Sequence, residues 1–363
     1  MSAPVPHLTS GSQTRDDVID VATADAPIEV AAIKPPPGAP GGKVVGRSPG
    51  QLAWMRLRRD KVAMTALWAL VVFVALAIFA DVVRMLYGYS TMNLAGNGSS
   101  ELLDGTGIPL GYLGGIDFTT DNPSHHIHIL GVEPSLGRDL FIQVLYGIRT
   151  SLLISFVSVS IATAFGVVVG IAAGFIGGWF DSVVNWVIDY MLAFPFFLFA
   201  LAVIPVVNTH LHADNGSPAA WQRVITIVVV FSAFAWMSTA RLVRGQVLSL
   251  REREYVDAAK AAGARLPHML FRQLLPNLWA PILVTYSLGV PLTITAEGAL
   301  SFLNIGVTEP TPDLGRLVFN SQSWLHADVA YLLIPGLTIF LIVLAFNLFG
   351  DALRDSLDPK SSR

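Results

Sequence analysis

The sequence predicts an all-α polytopic membrane protein with six transmembrane helices, and three observations predict it. Of the 363 residues, 53% are hydrophobic and only 13% are charged, about half the charged share of a soluble domain. The apolar residues stand in long blocks of about twenty, the length that crosses a hydrocarbon core as a helix. These blocks do not alternate with period two, so they do not suit barrel strands. Backbone groups in lipid must then be satisfied within each segment, as helices satisfy them. The net charge of −3 leaves no basic field for nucleic acid, and no such partner is expected. The absence of cysteine excludes disulfides, thiolate metal sites and cysteine nucleophiles.

Taken in order, residues 1–50 read as a disordered cytoplasmic tail. The run Pro35-Pro36-Pro37-Gly38-Ala39-Pro40 holds neither helix nor strand ladder. No apolar block lies near Met1, so no cleaved signal peptide is expected. Residues 51–81 read as a basic interfacial segment (Arg56, Arg58, Arg59, Lys61) followed by the first span, residues 62–80. Those 19 residues carry no charge and cover roughly 28 Å as a helix. Residues 82–150 read as an extracytoplasmic loop. From residue 81 onward this region holds three arginines against seven acids.

Residues 151–350 read as a core of five further spans, near 151–176, 183–207, 224–240, 278–298 and 331–349. The core includes a loop at 241–276 and is followed by a short cytoplasmic tail, 351–363. That loop carries seven Lys/Arg against three acids, so it belongs inside. Six crossings then put both termini in the cytoplasm.

Gly166, Gly170, Gly174 and Gly178 recur every four residues and mark a face that another helix approaches closely, as in generic membrane packing. Asp189 falls inside the third block, about six residues from its inner end. An intramembrane carboxylate is a pathway candidate, and this one also suits simple contact with cytoplasmic water. Glu297, near the outer end of the fifth span, suits an outer-gate or helix-capping contact. His125, His126 and His128, with His210 and His212, lie in external loops. They suit a hydrated loop better than a metal site, because no acidic or cysteine partner stands at ligand spacing.

Within the inner loop, Ser249 and Glu252 have the spacing of a capping box, which predicts a short helix starting at about Leu250. Gly263 offers a left-handed stop, Pro267 suits the first turn of a second short helix, and Pro276 precedes the next span. The first helix is too short and polar to cross a membrane. Ala258, Ala259, Ala261 and Ala262 give it a smooth surface that fits a groove on a soluble partner, or simply a solvated connector.

Asp257-Ala258-Ala259, then Gly263, then Leu275-Pro276 resembles the EAA signature of ABC-importer permeases. Asp257 stands for the usual Glu, and Gln273 for a usual aliphatic residue. Leu136-Gly137-Arg138-Asp139 with Leu145-Tyr146-Gly147, the run Gly174 to Asp181, Ala193-Phe194-Pro195, Ala296-Glu297, Pro310-Thr311-Pro312 and Phe346 to Asp355 resemble dipeptide/oligopeptide permeases of the C type.

The resemblance covers about residues 130–359. It implies a half-pathway for di- or oligopeptides, or for nickel or another small solute, in the inner membrane. The implied partners are a second permease subunit, two cytoplasmic ATPase subunits that bind the ATP, and an extracytoplasmic solute-binding protein. Glu254, Tyr255, Asp257, Ala258, Ala259, Gly263, Leu275 and Pro276 would then form the contact with an ATPase.

No phosphate-binding G-x-x-x-x-G-K-[ST] occurs, and neither G-x-S-x-G nor H-E-x-x-H is present. The chain is therefore expected to bind no cofactor and to be no enzyme. The rival class is an ion-coupled secondary transporter. It needs an intramembrane carboxylate beside a broken helix, for which Asp189 with Pro195 and Pro205 is the candidate set.

Overall fold

The computed structural model describes residues 49–89, 91, 103–110, 128–210, 220–307 and 309–358. The tail before Pro49, His125, His126 and His212 lie outside the described residues. The described chain forms helices and no strand: α1 Pro49–Arg59, α2 Lys61–Ile78, α3 Ala80–Tyr87, α4 Leu140–Ile176, α5 Gly178–Leu192, α6 Phe196–His210, α7 Ala220–Leu250, α8 Glu254–Ala261, α9 Trp279–Phe302, α10 Leu314–Ser321 and α11 Val329–Leu357. Five of these, α2, α4, α7, α9 and α11, are long and apolar enough to span a bilayer.

The remaining span is α5 and α6 together, bent by 82° where they meet. The third apolar block is thus two helices and not one. Pro195 lacks an N–H and disfavours helical geometry in the residue before it, which breaks the ladder there.

That this bent pair counts as one crossing follows from the packing of its neighbours. Gly166 lies against Trp236 and Thr239, Gly170 against Ala240 and Val243, and Gly174 against Arg244 and Val247. The two registers rise together, so α4 and α7 run parallel, and the chain must return across the bundle between them. Along that return Asp181 meets Arg244, Asp189 meets Arg241, Phe199 meets Phe234, and Ile204 shares a cluster with Ile227. The partners on α7 step backwards as α5 and α6 advance, which makes the pair antiparallel to α7.

Several boundaries differ from the sequence reading. The second span starts at Leu140 and not 151, because Asp139 caps it through a 2.8 Å bond from Ile142 N. Its polar first turns are also satisfied: Gln143 donates to Thr91 O at 2.7 Å, and Arg149 pairs with Asp81 at 2.8 Å. With 37 residues, α4 is about 55 Å long and projects beyond a hydrocarbon core. The fourth block, placed at 224–240, extends over Ala220–Leu250, so the first ten residues of the supposed 241–276 loop are helix. The last helix likewise reaches Leu357, which makes most of the supposed tail at 351–363 helical.

At the end of the bundle that carries the 251–277 loop, α1 lies against the last turns of α11. It buries Ala53 and Leu57, one turn apart, and Arg56 donates to Asp358 O at 3.0 Å. The first and last described segments therefore meet at one face. The opposite end, called outer below, carries α3, residues 128–139 and α10.

Candidate functional site

The inner loop is a short helix held in a fixed pose. No capping box forms: Ser249 remains inside α7, because Val243 and Val247 continue its buried stripe against α4. A turn at 251–253 follows, and Arg251 donates to Gly174 O at 3.3 Å, placing a cation at the carbonyl end of α4. Then comes α8, whose stop is a complete Schellman pair. Gly263 N donates to Lys260 O at 2.9 Å and Ala264 N to Ala259 O at 3.0 Å, with Gly263 at φ +79. Pro267 sits in the first turn of the following stretch, residues 266–277, which closes as a π turn and a 3₁₀ turn before α9.

One residue anchors α8 to the bundle, and sequence reasoning missed it. Val256 is fully buried among Val167, Ile171, Val243, Val247, Met269 and Leu274. The signal was available, since Val256 is the single large aliphatic residue in Glu254–Ala261. Of the predicted contact residues, Glu254, Tyr255, Asp257, Ala258, Gly263 and Pro276 are exposed. Ala259 and Leu275 instead turn towards the Val256 cluster.

Asp257 pairs with Lys260 at 3.0 Å, and Tyr255 OH accepts from Asn277 at 3.3 Å. Beside α8 a hollow of about 420 Å³ is lined by Ala259, Ala262, Ala264, Arg265, His268 and Gln273. Gln273 thus borders an open hollow at the place where an aliphatic side chain was expected.

Gly166, Gly170 and Gly174 sit where α7 comes closest: a Cβ on each would stand 2.6, 2.6 and 2.9 Å from a backbone oxygen of α7. Gly178 is not part of this stripe. α4 ends at Ile176, and Gly178 follows the turn with φ +61 and open space around it. Asp189 bonds Arg241 at 2.5 Å, and both side chains are more than half exposed, so the carboxylate faces no buried midplane site. The helix break at Pro195 exists, but the carboxylate the ion-coupled rival needs is already paired beside it.

Glu297 is fully buried. It accepts from Ser151 at 2.9 Å and Ser301 at 3.0 Å, and the Asp313 carboxyl also faces it. It ties α4, α9 and the start of α10 together. The residues around it were not singled out from sequence as a network. Arg138 donates to Glu133 at 2.5 Å and to Glu309 at 3.1 Å, while Tyr331 OH donates to Glu133 at 2.5 Å. Burial works against the Arg138 charge, but the Glu133 and Glu309 carboxylates outweigh it and hold the guanidinium protonated above its ordinary range. Asp328, capping α11 through Ala330 N and Tyr331 N, is pushed above the usual carboxylate range by its burial.

His128 is not in a hydrated loop. It is buried, 2.7 Å from the Asp139 carboxylate, which also accepts from Tyr87. Among the described residues no His, Asp and Glu cluster suits a metal ion.

Comparison with known proteins fits this geometry. Residues 166–363 match the family described as binding-protein-dependent transport system inner membrane component. Residues 48–100 match the N-terminal TM domain of oligopeptide transport permease C. The chain is 34% identical to the dipeptide transport system permease protein DppC of Alkalihalophilus pseudofirmus, over 86% of this chain and 90% of the relative. It is 34% identical to the glutathione transport system permease protein GsiD of Pectobacterium atrosepticum, over 86% and 92%. It is 35% identical to DppC of Haemophilus influenzae, over 66% and 75%.

Proposed function

The chain belongs to the family of binding-protein-dependent transport system inner membrane components, whose members are non-enzymatic permease subunits, and from that membership we propose that it is one of two permease subunits in an ATP-driven importer of small peptides. The observation that carries the coupling role is the exposed α8, fixed at one end by Val256 and at the other by the Gly263 stop. A helix so held transmits displacement as a rigid body, whereas a loop would dissipate it.

In this reading Glu254, Tyr255, Asp257 and Ala258 meet a cytoplasmic ATPase subunit. Two such ATPases bind and hydrolyse the ATP, and this chain holds no nucleotide. Closure of the ATPase pair favours an outward-open bundle, and each step is a shift between states that the ligands bind unequally. A solute-binding protein delivers the peptide at the outer face. The relatives' names, dipeptide and glutathione systems, support a peptide of two or three residues as cargo. The chain would sit in the inner membrane with both ends cytoplasmic, a topology supported by the parallel α4 and α7 and by the contact between α1 and α11.

The test is to co-express the chain with its partner subunits and measure ATPase co-purification and dipeptide uptake in proteoliposomes. Asp257→Lys places a like charge beside Lys260 and should lower both severalfold. Wild-type coupling in that variant would remove α8 from the interface.

A further inference from the structure

Where α8 stops, the chain turns back and leaves the hollow of about 420 Å³ beside it. Its apolar lining is Ala259, Ala262 and Ala264, and its polar lining is Arg265, His268 and Gln273. Hydrogen bonds on both sides fix its shape. Ala264 N donates to Ala259 O at 3.0 Å across the Gly263 turn, and Met269 N donates to Arg265 O at 3.0 Å. Met269 and Leu274 are buried in the Val256 cluster, so the stretch after the turn is anchored in the same packing as α8. Asn277 ties the two together, donating to Gln273 O at 2.7 Å and to Tyr255 OH of α8 at 3.3 Å. The hollow therefore moves with α8 as one piece.

Its charge is one-sided. Arg265 and His268 line it, and among the described residues no acid does. The Arg265 side chain is exposed, and among the described residues it has neither a hydrogen bond nor an ion pair. Asp257, on α8, is already held by Lys260 at 3.0 Å. His268 is turned to the Gln273 amide, with 3.4 Å between their Nε2 atoms. A free guanidinium beside three alanines suits a group with an apolar stem and an anionic head. The stem leaves water against the alanines, and the head takes the paired, charge-assisted hydrogen bonds that a guanidinium gives a carboxylate. The exposed face of α8 runs into this lining through Ala262, so a partner that covers the helix also covers the hollow.

We propose that the hollow receives an acidic side chain of the cytoplasmic ATPase subunit, held by Arg265 and seated on Ala259, Ala262 and Ala264. This rests on the permease reading above and adds a second contact to it. An exposed helix resting in a groove can only be pushed. A paired side chain seated in a hollow also resists separation, so a pull reaches the bundle as well when the ATPases part.

The experiment uses the full-length chain purified in nanodiscs with its second permease subunit. The affinity of the purified ATPase subunits is measured over a range of salt. Arg265→Gln is expected to weaken binding about tenfold, the size of one charge-assisted contact, with Arg265→Lys weakened less and Arg265→Glu more. Wild-type affinity should fall with salt more steeply than that of Arg265→Gln. Ala262→Leu fills the hollow without changing its charge. Ala262 is exposed with φ −75, so the fold accepts the larger side chain, and binding should weaken severalfold. Arg272→Gln removes an exposed cation of the same stretch that does not line the hollow, and should bind as the wild type does.

If Arg265→Gln or Ala262→Leu binds like the wild type while Asp257→Lys is weakened, the hollow is refuted and α8 keeps its role. If all three bind like the wild type, α8 leaves the interface too. An Arg272→Gln loss equal to that of Arg265→Gln also refutes the hollow, because a diffuse basic field would then be acting. So does an Arg265→Gln loss seen in phosphatidylglycerol discs and absent in phosphatidylcholine discs, because the occupant would then be a lipid headgroup. A wild-type chain that binds no ATPase overturns the permease reading and the hollow with it.

Discussion

Gly263 shows how much can rest on one backbone angle. A Cβ there would touch nothing within 4 Å, so space is not the constraint; φ +79 is. A β-branched residue at such an angle costs about 1–2 kcal/mol, while Asn tolerates it. Gly263→Val should therefore loosen the α8 stop and cut uptake and ATPase co-purification severalfold, with Gly263→Asn close to wild type. Equal behaviour of the two variants in that assay would show that the angle is irrelevant. Val256→Ala removes the anchor and should lower the melting temperature by the equivalent of about 2 kcal/mol. The position of Gly263 was legible because a glycine after a short charged helix has one common use. Val256 was overlooked because a single aliphatic residue in a polar stretch gives no periodicity to read. Its burial depends on Val167 and Ile171, which lie almost ninety residues away.

At the scale of elements, the glycine stripe decides how α4 and α7 meet. Gly170→Ala should destabilise the protein, because its methyl group would press into the backbone of Ala240. Gly245, also helical but with open space around its Cβ position, should gain about 1 kcal/mol when changed to Ala. Opposite shifts in melting temperature for the two variants are the expected result. Shifts of the same sign would mean that the contact is not close. Spacing alone placed Gly178 in the stripe as well, since a four-residue repeat cannot reveal that the helix has already stopped at Ile176. Apolar blocks were likewise a sound guide to the existence of spans and a poor one to their ends. Polar first turns such as those of α4 are helical because Asp139, Thr91 and Asp81 satisfy them. The break in the third block was foreshadowed by Pro195, but a hydropathy window does not register direction.

For the whole molecule, the count of crossings is fixed by a relation between helices and not by any helix alone. The topology is directly testable because the chain has no cysteine. Arg59→Cys and Ala262→Cys should react with a membrane-impermeant thiol reagent only from the cytoplasmic side, and Leu110→Cys only from the other. Labelling of position 59 and position 262 from opposite sides would overturn the six-crossing arrangement. The apolar spans were legible in the sequence, whereas the polar cap of Glu133, Arg138, Glu309 and Tyr331 was not. Its members come from segments almost two hundred residues apart. The meeting of Arg56 with Asp358 has a consequence for biogenesis. A ribosome delivers the chain from the amino end, so this clasp cannot close until Asp358 itself has been translated. The amphipathic segment at Pro49–Arg59 must therefore wait, unlatched, through the insertion of all that follows. A chain cut short before Asp358 would leave that latch open for membrane proteases to find.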